Sequence, residues 1–217
     1  MDLAGTVRRA AGLLTRPAEA FAAIARGRAP APPEGLAERL EAAPAGEVAA
    51  AAPAGDHLAH LGVMAGVAAL ALALFVVLVR ARLGPMGGVA VSLAAVVPST
   101  VGLLAGGVWV LSRAARALAP PMESRADGTA ALALCAYATT PTFAASALVV
   151  LDALALSTAW HRVAVGLGAA GTFWLLYHGL GPLLETPPAR RLSFAGALAF
   201  LWLVLSALAF VGPRQLL

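Results

Sequence analysis

Five long apolar runs, separated by short groups of charged residues, make up most of the chain after residue 60. Each run is free of Asp, Glu, Lys and Arg and is long enough to cross a bilayer, which takes roughly 20 apolar residues. Backbone groups cannot bond to water inside a bilayer, so runs of this length are predicted to be α-helices. The five predicted spans are 61–79, 86–111, 128–151, 163–184 and 193–212.

The composition supports this interpretation and sets the class of protein. Hydrophobic residues make up 60% of the 217-residue chain and charged residues 12%, against about 25% charged in soluble domains. Five such runs in succession cannot all be core helices of a soluble domain, because those are shorter and have a polar face. The sequence therefore predicts an all-α polytopic membrane protein with five transmembrane helices and an N-terminal amphipathic helical segment.

The arginines predict how the chain crosses the bilayer. Cytoplasmic segments of membrane proteins carry an excess of positive charge. With the N-terminus inside, the inside segments hold eleven arginines and the outside segments four. This count predicts a cytosolic N-terminus and an external C-terminus. The net charge of +4 is small and no basic run is interleaved with aromatic residues, so a nucleic-acid partner is not expected.

Residues 1–28 have the periodicity of an amphipathic helix and lack the uninterrupted apolar core of a signal peptide. Pro17, two residues after Thr15, predicts a break between two short helices, with Thr15 as the N-cap of the second. Such a segment can lie on an anionic membrane surface or pack on the protein's own cytosolic loops, and periodicity alone leaves both open. The predicted apolar face consists of Leu3, Val7, Ala10, Leu14, Ala18, Phe21 and Ala25.

The stretch at 29–60 is different in composition from both of its neighbours. It is rich in Ala, Pro, Glu and Gly, which predicts a linker, with one or two helical turns at 36–43. The sequence therefore divides into a cytosolic helical segment at 1–28, a linker at 29–60 and a five-helix transmembrane domain at 61–217.

Glycine-rich stretches in the spans invite two interpretations. Residues 166–171, "GLGAAG", match the dinucleotide fingerprint G-x-G-x-x-G, but that motif needs a preceding strand and a later acidic residue. Inside an apolar span, glycines more often let helices approach closely. The G-x-x-x-G patterns at 62–66 and 102–106 are given the same packing interpretation, and no cofactor is expected.

Two histidines stand one helical turn apart at the start of the first span. His57 and His60 could share a metal ion, but a metal site needs further ligands, and interfacial capping of the span explains them as well. Asp152, at the outer end of the third span, is expected to be solvated. The chain has no H-E-x-x-H and no G-x-S-x-G motif, so no catalytic or metal-binding residues are predicted.

Prolines interrupt two of the spans near their midpoints. Pro98 lies in the second span and Pro141 in the third, and each has hydroxyl residues beside it, including Thr139 and Thr140. Pro141 frees the carbonyl of Tyr137, and Ser or Thr hydroxyls can supply the missing bond. The motif predicts a locally satisfied kink. A binding cleft between the two kinked helices is the alternative.

Three stretches of the chain together resemble a known family. The third span carries the pattern Ala-Tyr-x-x-x-Pro, the N-terminal segment carries Pro-x-x-x-Phe-x-x-Ile, and 173–200 reads "FWLLYHGLGPLLETPPARRLSFAGALAF". The chain resembles the Yip family of five-span, Rab-interacting membrane proteins and their prokaryotic relatives. The residues that carry the two shorter patterns are Ala136, Tyr137 and Pro141, and Pro17, Phe21 and Ile24.

The resemblance implies an integral membrane protein that is not an enzyme, of prokaryotic type and therefore of the bacterial cytoplasmic membrane. The Asp-Leu-Tyr-Gly-Pro motif of eukaryotic members is missing from this chain, so Rab GTPase binding is not expected. Apart from the resemblance, the sequence offers three further candidate functional residues at the predicted cytosolic end of the fourth span: Tyr177, His178 and Glu185. His178, the only histidine inside a predicted span, is either hydrogen-bonded to a neighbouring helix or a pH-sensitive contact.

Two hypotheses of function follow from these patterns. The first is a membrane-embedded scaffold whose N-terminal segment and loops recruit membrane or cytosolic proteins or sense the bilayer. The second is a transporter of a small molecule or lipid that uses a cleft between Pro98 and Pro141. The scarcity of charge inside the spans favours the first.

Overall fold

The computed structural model describes residues 10–26, 56–83, 89–155 and 159–211, and these residues form helices with no strand among them. Five helical segments are long and apolar enough to cross a membrane, which confirms the predicted class: an all-α polytopic membrane protein. In chain order the helices are α1 (residues 10–15), α2 (Pro17–Arg26), α3 (Asp56–Leu83), α4 (Val89–Leu118), α5 (Gly128–Ala138), α6 (Thr140–Ala145), α7 (Val149–Ala155), α8 (Ala159–Leu184) and α9 (Pro188–Val211).

The helix ends differ from the predicted spans where charged residues and prolines lie. Helix α3 begins at Asp56, before the predicted first span, and α4 continues through Arg113 and Arg116. Charge does not stop a helix, because the long arginine side chain carries its head to water while the backbone bonding continues. Helix α9 starts at Pro188, five residues earlier than predicted, since proline is well suited to a first helical turn.

The third span is the centre of the bundle. It is divided into α5, α6, a 3₁₀ turn at Ser146–Leu148 and α7. Of its most apolar window, 67% is buried inside the protein, and no other span exceeds 39%. Helix α5 packs against α4 and α8, α6 packs against α3 and α8, and α9 packs against α4 and α8. A span enclosed in this way can carry polar side chains, because protein and not lipid surrounds them.

The glycines of "GLGAAG" allow the third and fourth spans to meet closely. A Cβ at Gly168 would lie 3.0 Å from the Oγ1 of Thr142, and a Cβ at Gly171 would lie 2.6 Å from the Cβ of Pro141. This confirms the packing interpretation for these two positions. The described residues give the G-x-x-x-G patterns no such neighbour, since their glycines are exposed and no described atom lies within 4 Å of a Cβ there. They are Gly62, Gly66, Gly102 and Gly106.

The N-terminal helices pack against the transmembrane bundle. Phe21 is fully buried, and its ring lies 3.0 Å from the position of a Cβ on Gly179 of α8. Leu13 is 1% exposed whereas Leu14 is 50% exposed, so the buried face includes Leu13 in place of the predicted Leu14. Of the two locations that periodicity left open, the structure has the segment on the protein, on a transmembrane helix. Residues 1–9 and 27–55, with most of the predicted linker, lie outside the described residues.

A break separates α1 from α2, as predicted, but Thr15 does not cap the second helix. The Oγ1 of Thr15 donates to the carbonyl of Ala11 at 2.9 Å, which ties it to the end of α1. The carbonyl of Arg16 accepts the backbone N–H of Ala20 at 3.1 Å, so Arg16 is the residue at the N-cap. The N-cap prediction for Thr15 is therefore wrong, because its hydroxyl bonds backwards.

We expect Gly171→Ala to lower the free energy of unfolding by about 1–3 kcal/mol, since the added methyl group overlaps the Pro141 ring. Gly166→Ala in the same helix is the matched control, because a Cβ there meets nothing within 4 Å. Thermal or SDS-induced unfolding of the purified protein measures both. Equal stabilities of the two variants would contradict the close approach at Gly171.

Candidate functional site

Buried polar side chains meet where the third span is broken, and we call this set the polar junction. Four helices that are distant in sequence contribute to it: α3, the third span, α8 and α9. Its members are His57, His60, Tyr137, Thr139, Thr140, Thr142, Thr172 and Trp202, all of which are buried.

The first and third spans are joined by two side-chain hydrogen bonds. The Nδ1 of His57 lies 3.2 Å from the hydroxyl of Tyr137, and the Nε2 of His60 lies 2.9 Å from the Oγ1 of Thr140. Both imidazoles also contact the Tyr137 ring, with centroid distances of 5.4 and 4.6 Å. A neutral imidazole has one donor and one acceptor nitrogen, and hydroxyls can complement either. The two histidines therefore bind the first span to the centre of the bundle.

This placement corrects the interpretation of His57 and His60 as interfacial capping residues. They are 3% and 1% exposed, and the candidate span of α3 begins at His57, so His178 is not the only histidine inside a span. Across the described residues, no three His, Cys, Asp or Glu side chains come together as a metal site would need. The two imidazoles can be buried because the hydroxyls of Tyr137 and Thr140 provide hydrogen-bond partners for them inside the bundle.

The break in the third span follows from Pro141. Proline has no N–H to donate, and α5 ends at Ala138 while α6 begins at Thr140. The Oγ1 of Thr139 donates to the carbonyls of Cys135 and Ala136, at 2.9 and 3.3 Å. A threonine hydroxyl thus bonds to backbone carbonyls at the break. These are the carbonyls of Cys135 and Ala136 and not that of Tyr137, for which the hydroxyl bond was predicted.

Thr142 connects the third span to the fourth and fifth spans. The indole Nε1 of Trp202 donates to its Oγ1 at 2.8 Å, and the Oγ1 of Thr172 lies 3.2 Å from the same atom. The Trp202 ring in turn packs on Gly107 of α4, where a Cβ would lie 3.1 Å from its Cζ3. All four other spans therefore contact the third span or a side chain bonded to it.

Pro98 lies apart from the buried set. It stands inside α4 and its side chain is exposed, whereas Pro141 is buried against Gly171. The Oγ of Ser99 donates to the carbonyl of Ala95 at 2.6 Å, so a hydroxyl beside this proline also bonds to the local backbone. The structure places the two predicted kink prolines in different environments, one outside the bundle and one in its core.

Tyr177, His178 and Glu185 form a second, separate group near the end of α8. The His178 ring packs between Trp174 and Tyr177, with centroid distances of 4.3 and 5.4 Å, and its Nε2 has no hydrogen-bond partner among the described residues. Glu185 is exposed, has a φ of 52° and pairs with Arg125 at 3.7 Å. These three residues do not belong to the polar junction.

Two loops are bound to each other at this end of the bundle, and we call the contact the loop pair (residues 119–127 with 185–187). The backbone N–H of Arg125 donates to the carbonyl of Leu184 at 2.9 Å, and the Oγ of Ser124 donates to Thr186 at 2.9 Å. Glu123 accepts a hydrogen bond from Arg190 at 2.9 Å. The loop after the second span and the loop after the fourth span therefore lie on the same side of the membrane.

The prediction for Asp152 is wrong. Its side chain is 6% exposed, so it is buried at the outer end of the third span and is not solvated. The neighbouring carbonyls of Ala153 and Leu154 accept hydrogen bonds from Arg82 at 3.2 and 3.0 Å. The end of α7 is therefore covered by the end of α3, which shields the carboxylate from water.

No protein-family model, curated protein or solved structure matches the chain. The Yip resemblance stays a prediction, and the site must be interpreted from its own geometry. Sequence reasoning found the third-span half of the polar junction but missed His57, His60, Thr172 and Trp202 as its partners. The spacing of the histidine pair could have indicated this, because two imidazoles at i and i+3 share one helix face and can contact the same neighbouring helix.

We expect Tyr137→Phe to lower the free energy of unfolding by about 1 kcal/mol, because interhelical hydrogen bonds in membranes have this magnitude. The substitution keeps the ring and removes the hydroxyl that contacts His57. Tyr177→Phe is the control, since Tyr177 is only half-buried and outside the polar junction. The measurement is SDS-induced unfolding in mixed micelles. A Tyr137→Phe protein as stable as Tyr177→Phe would show that the contact contributes nothing.

Proposed function

We propose that the protein is a non-enzymatic scaffold of the Yip-like class in a bacterial cytoplasmic membrane, and that the end of the bundle with the N-terminal helices recruits protein partners. The observation that carries this proposal is the docking of α2 on α8 through Phe21, with Leu13 of α1 buried in the same core. A recruiting segment that packs on the bundle presents its outer side in a fixed orientation, which lowers the entropic cost of binding.

The outer side of the docked helices has the chemistry of a binding surface. Leu14 is half exposed, and beside it Arg16 and Glu19 form a loose pair at 3.7 Å with both side chains about three-quarters exposed. An exposed leucine among solvated charges resembles the apolar centre and polar rim of a protein interface. On the same end, Arg125 and Arg190 are paired with Glu185 and Glu123, which adds exposed charged pairs to the polar rim.

The second candidate function is transport, and one observation favours it. His57 and His60 are ionisable groups buried within the spans, and such groups often mark a pathway for ions or substrates. The close packing at Gly168 and Gly171 fills the side of the third span that faces α8. The exposed position of Pro98 gives no support to a cleft between the two prolines. These contacts favour the scaffold.

We expect the double variant Leu14→Ser/Arg16→Gln to stay within about 0.5 kcal/mol of the parent stability, because both side chains are on the surface. It should nevertheless reduce the recovery of the proteins that are cross-linked to the parent chain in membranes, as measured by quantitative mass spectrometry. Leu154→Ser is the matched control, with a similar exposed fraction of 49% at the opposite end.

Unchanged recovery from the double variant would contradict the recruiting surface. Saturable solute flux in proteoliposomes that survives in the double variant and fails in Tyr137→Phe would instead establish the transporter. A parallel measurement of thermal stability separates a lost surface from a lost fold.

For the orientation, we expect reporters fused after Leu217 to be external and reporters inserted near Ala126 and Ala189 to be cytosolic. The eleven-to-four arginine bias motivates the cytosolic side. The reporters near Ala126 and Ala189 should be on the same side of the membrane, because the two loops of the loop pair are hydrogen-bonded to each other. Alkaline phosphatase and green fluorescent protein fusions provide the readout. A cytosolic C-terminus would overturn the proposed topology.

A further inference from the structure

The arginines around the loop pair differ in their partners. Arg190 pairs with Glu123 at 2.9 Å and Arg125 pairs with Glu185 at 3.7 Å. Arg191 donates its Nε to the carbonyl of Thr186 at 3.0 Å. Among the described residues it has no carboxylate within 4.0 Å, and its terminal nitrogens have no hydrogen-bond partner there, so its charge is not neutralised by them.

The Arg191 guanidinium lies flat against α8 at Gly181. A Cβ at Gly181 would be 2.7 Å from both the Cζ and the Nη2 of Arg191, so the guanidinium occupies space that only glycine leaves open. Gly181 is three residues from the end of its span and Arg191 is the fourth residue of the next one. At a rise of about 1.5 Å per residue, both lie within about 5 Å of the span ends, at the level of lipid headgroups.

The same face of α8 continues towards the membrane interior as an aromatic surface. His178 and Trp174 precede Gly181 by three and seven residues, which is the spacing of one helix face. Trp174 is 52% exposed, and its ring packs on His178 at a centroid distance of 4.3 Å. The Nε2 of His178 is enclosed, so the groups that this face offers to a ligand are the exposed Trp174 indole and the half-buried Arg191 guanidinium.

We propose that Arg191, Gly181 and Trp174 form a binding site for the phosphate group of an anionic phospholipid, which we call the Arg191 site. The terminal guanidinium nitrogens donate to two phosphate oxygens, a geometry that suits arginine better than lysine. The first acyl segment packs on Trp174, as aromatic side chains commonly do at this depth. Basic sites between transmembrane helices recognise anionic headgroups by this chemistry.

The test compares lipid retention by native mass spectrometry of the full-length protein, offered equimolar phosphatidylglycerol and phosphatidylcholine in detergent. The parent should retain phosphatidylglycerol preferentially, and Arg191→Gln should lower that preference by about fivefold, the effect of one arginine near a membrane surface. Arg190→Gln is the matched control, because this neighbouring arginine is already paired with Glu123. It should keep the parental preference.

Gly181→Ala provides a second variant that retains the charge. Its methyl group displaces the guanidinium, which is the flexible end of a side chain, so the fold survives while the preference falls. Inorganic phosphate added as competitor should fail to displace the lipid, since it cannot make the acyl contact with Trp174.

Three results would overturn the proposal. The first is equal retention of the two lipids by the parent, and the second is an equal loss of preference in Arg190→Gln and Arg191→Gln. The third is displacement of the lipid by inorganic phosphate, which would assign the site to a soluble anion. The thermal unfolding temperature of each variant should equal that of the parent, which would show that folded proteins are being compared.

Discussion

The bilayer interior provides no water to bond with a backbone that leaves the helical pattern, and the organisation of this bundle depends on that constraint. The third span leaves the pattern at Pro141, in its middle. Polar groups are brought to this point by neighbouring helices: imidazoles from α3, a hydroxyl from α8 and an indole N–H from α9. Backbone carbonyls before the break are bonded within the third span by Thr139, and the surrounding spans provide partners for the hydroxyls beside it, which lipid cannot.

The same constraint explains why the third span is the most enclosed. Lipid cannot satisfy the hydroxyls of Thr140 and Thr142, which bond to side chains of other spans, so the segment that carries them is surrounded by protein. Small residues on α8 make this enclosure possible, since Gly168 and Gly171 let the two backbones approach. The exposed glycines of α3 and α4 have no such neighbour in the described part of the chain. Glycine spacing alone therefore did not distinguish a packed face from a free one.

The two ends of the bundle differ in chemistry. One end combines the docked N-terminal helices, the loop pair and five exposed or half-exposed arginines: Arg113, Arg116, Arg125, Arg190 and Arg191. We propose two roles for this end, recruitment of partner proteins and binding of an anionic phospholipid, and they use different residues. The recruiting surface rests on the docked helices with the exposed Leu14, and the Arg191 site rests on Arg191 and the exposed Trp174.

The sequence by itself determined the class of protein and the number of its spans, because the length of an apolar run and its lack of charge are local properties. It also predicted the break near Thr15 and the interruption at Pro141, whereas Pro98 lies inside the continuous helix α4, so a proline by itself does not decide where a helix breaks. Only the tertiary structure decided which polar residues meet. His57 and Tyr137 are 80 positions apart, and Trp202 and Thr142 are 60 apart. The burial of Leu13 in place of Leu14 was likewise decided by tertiary packing, because a helical period defines a face only to within one residue. Contacts between distant segments depend on how the helices pack, and no local pattern contains that information.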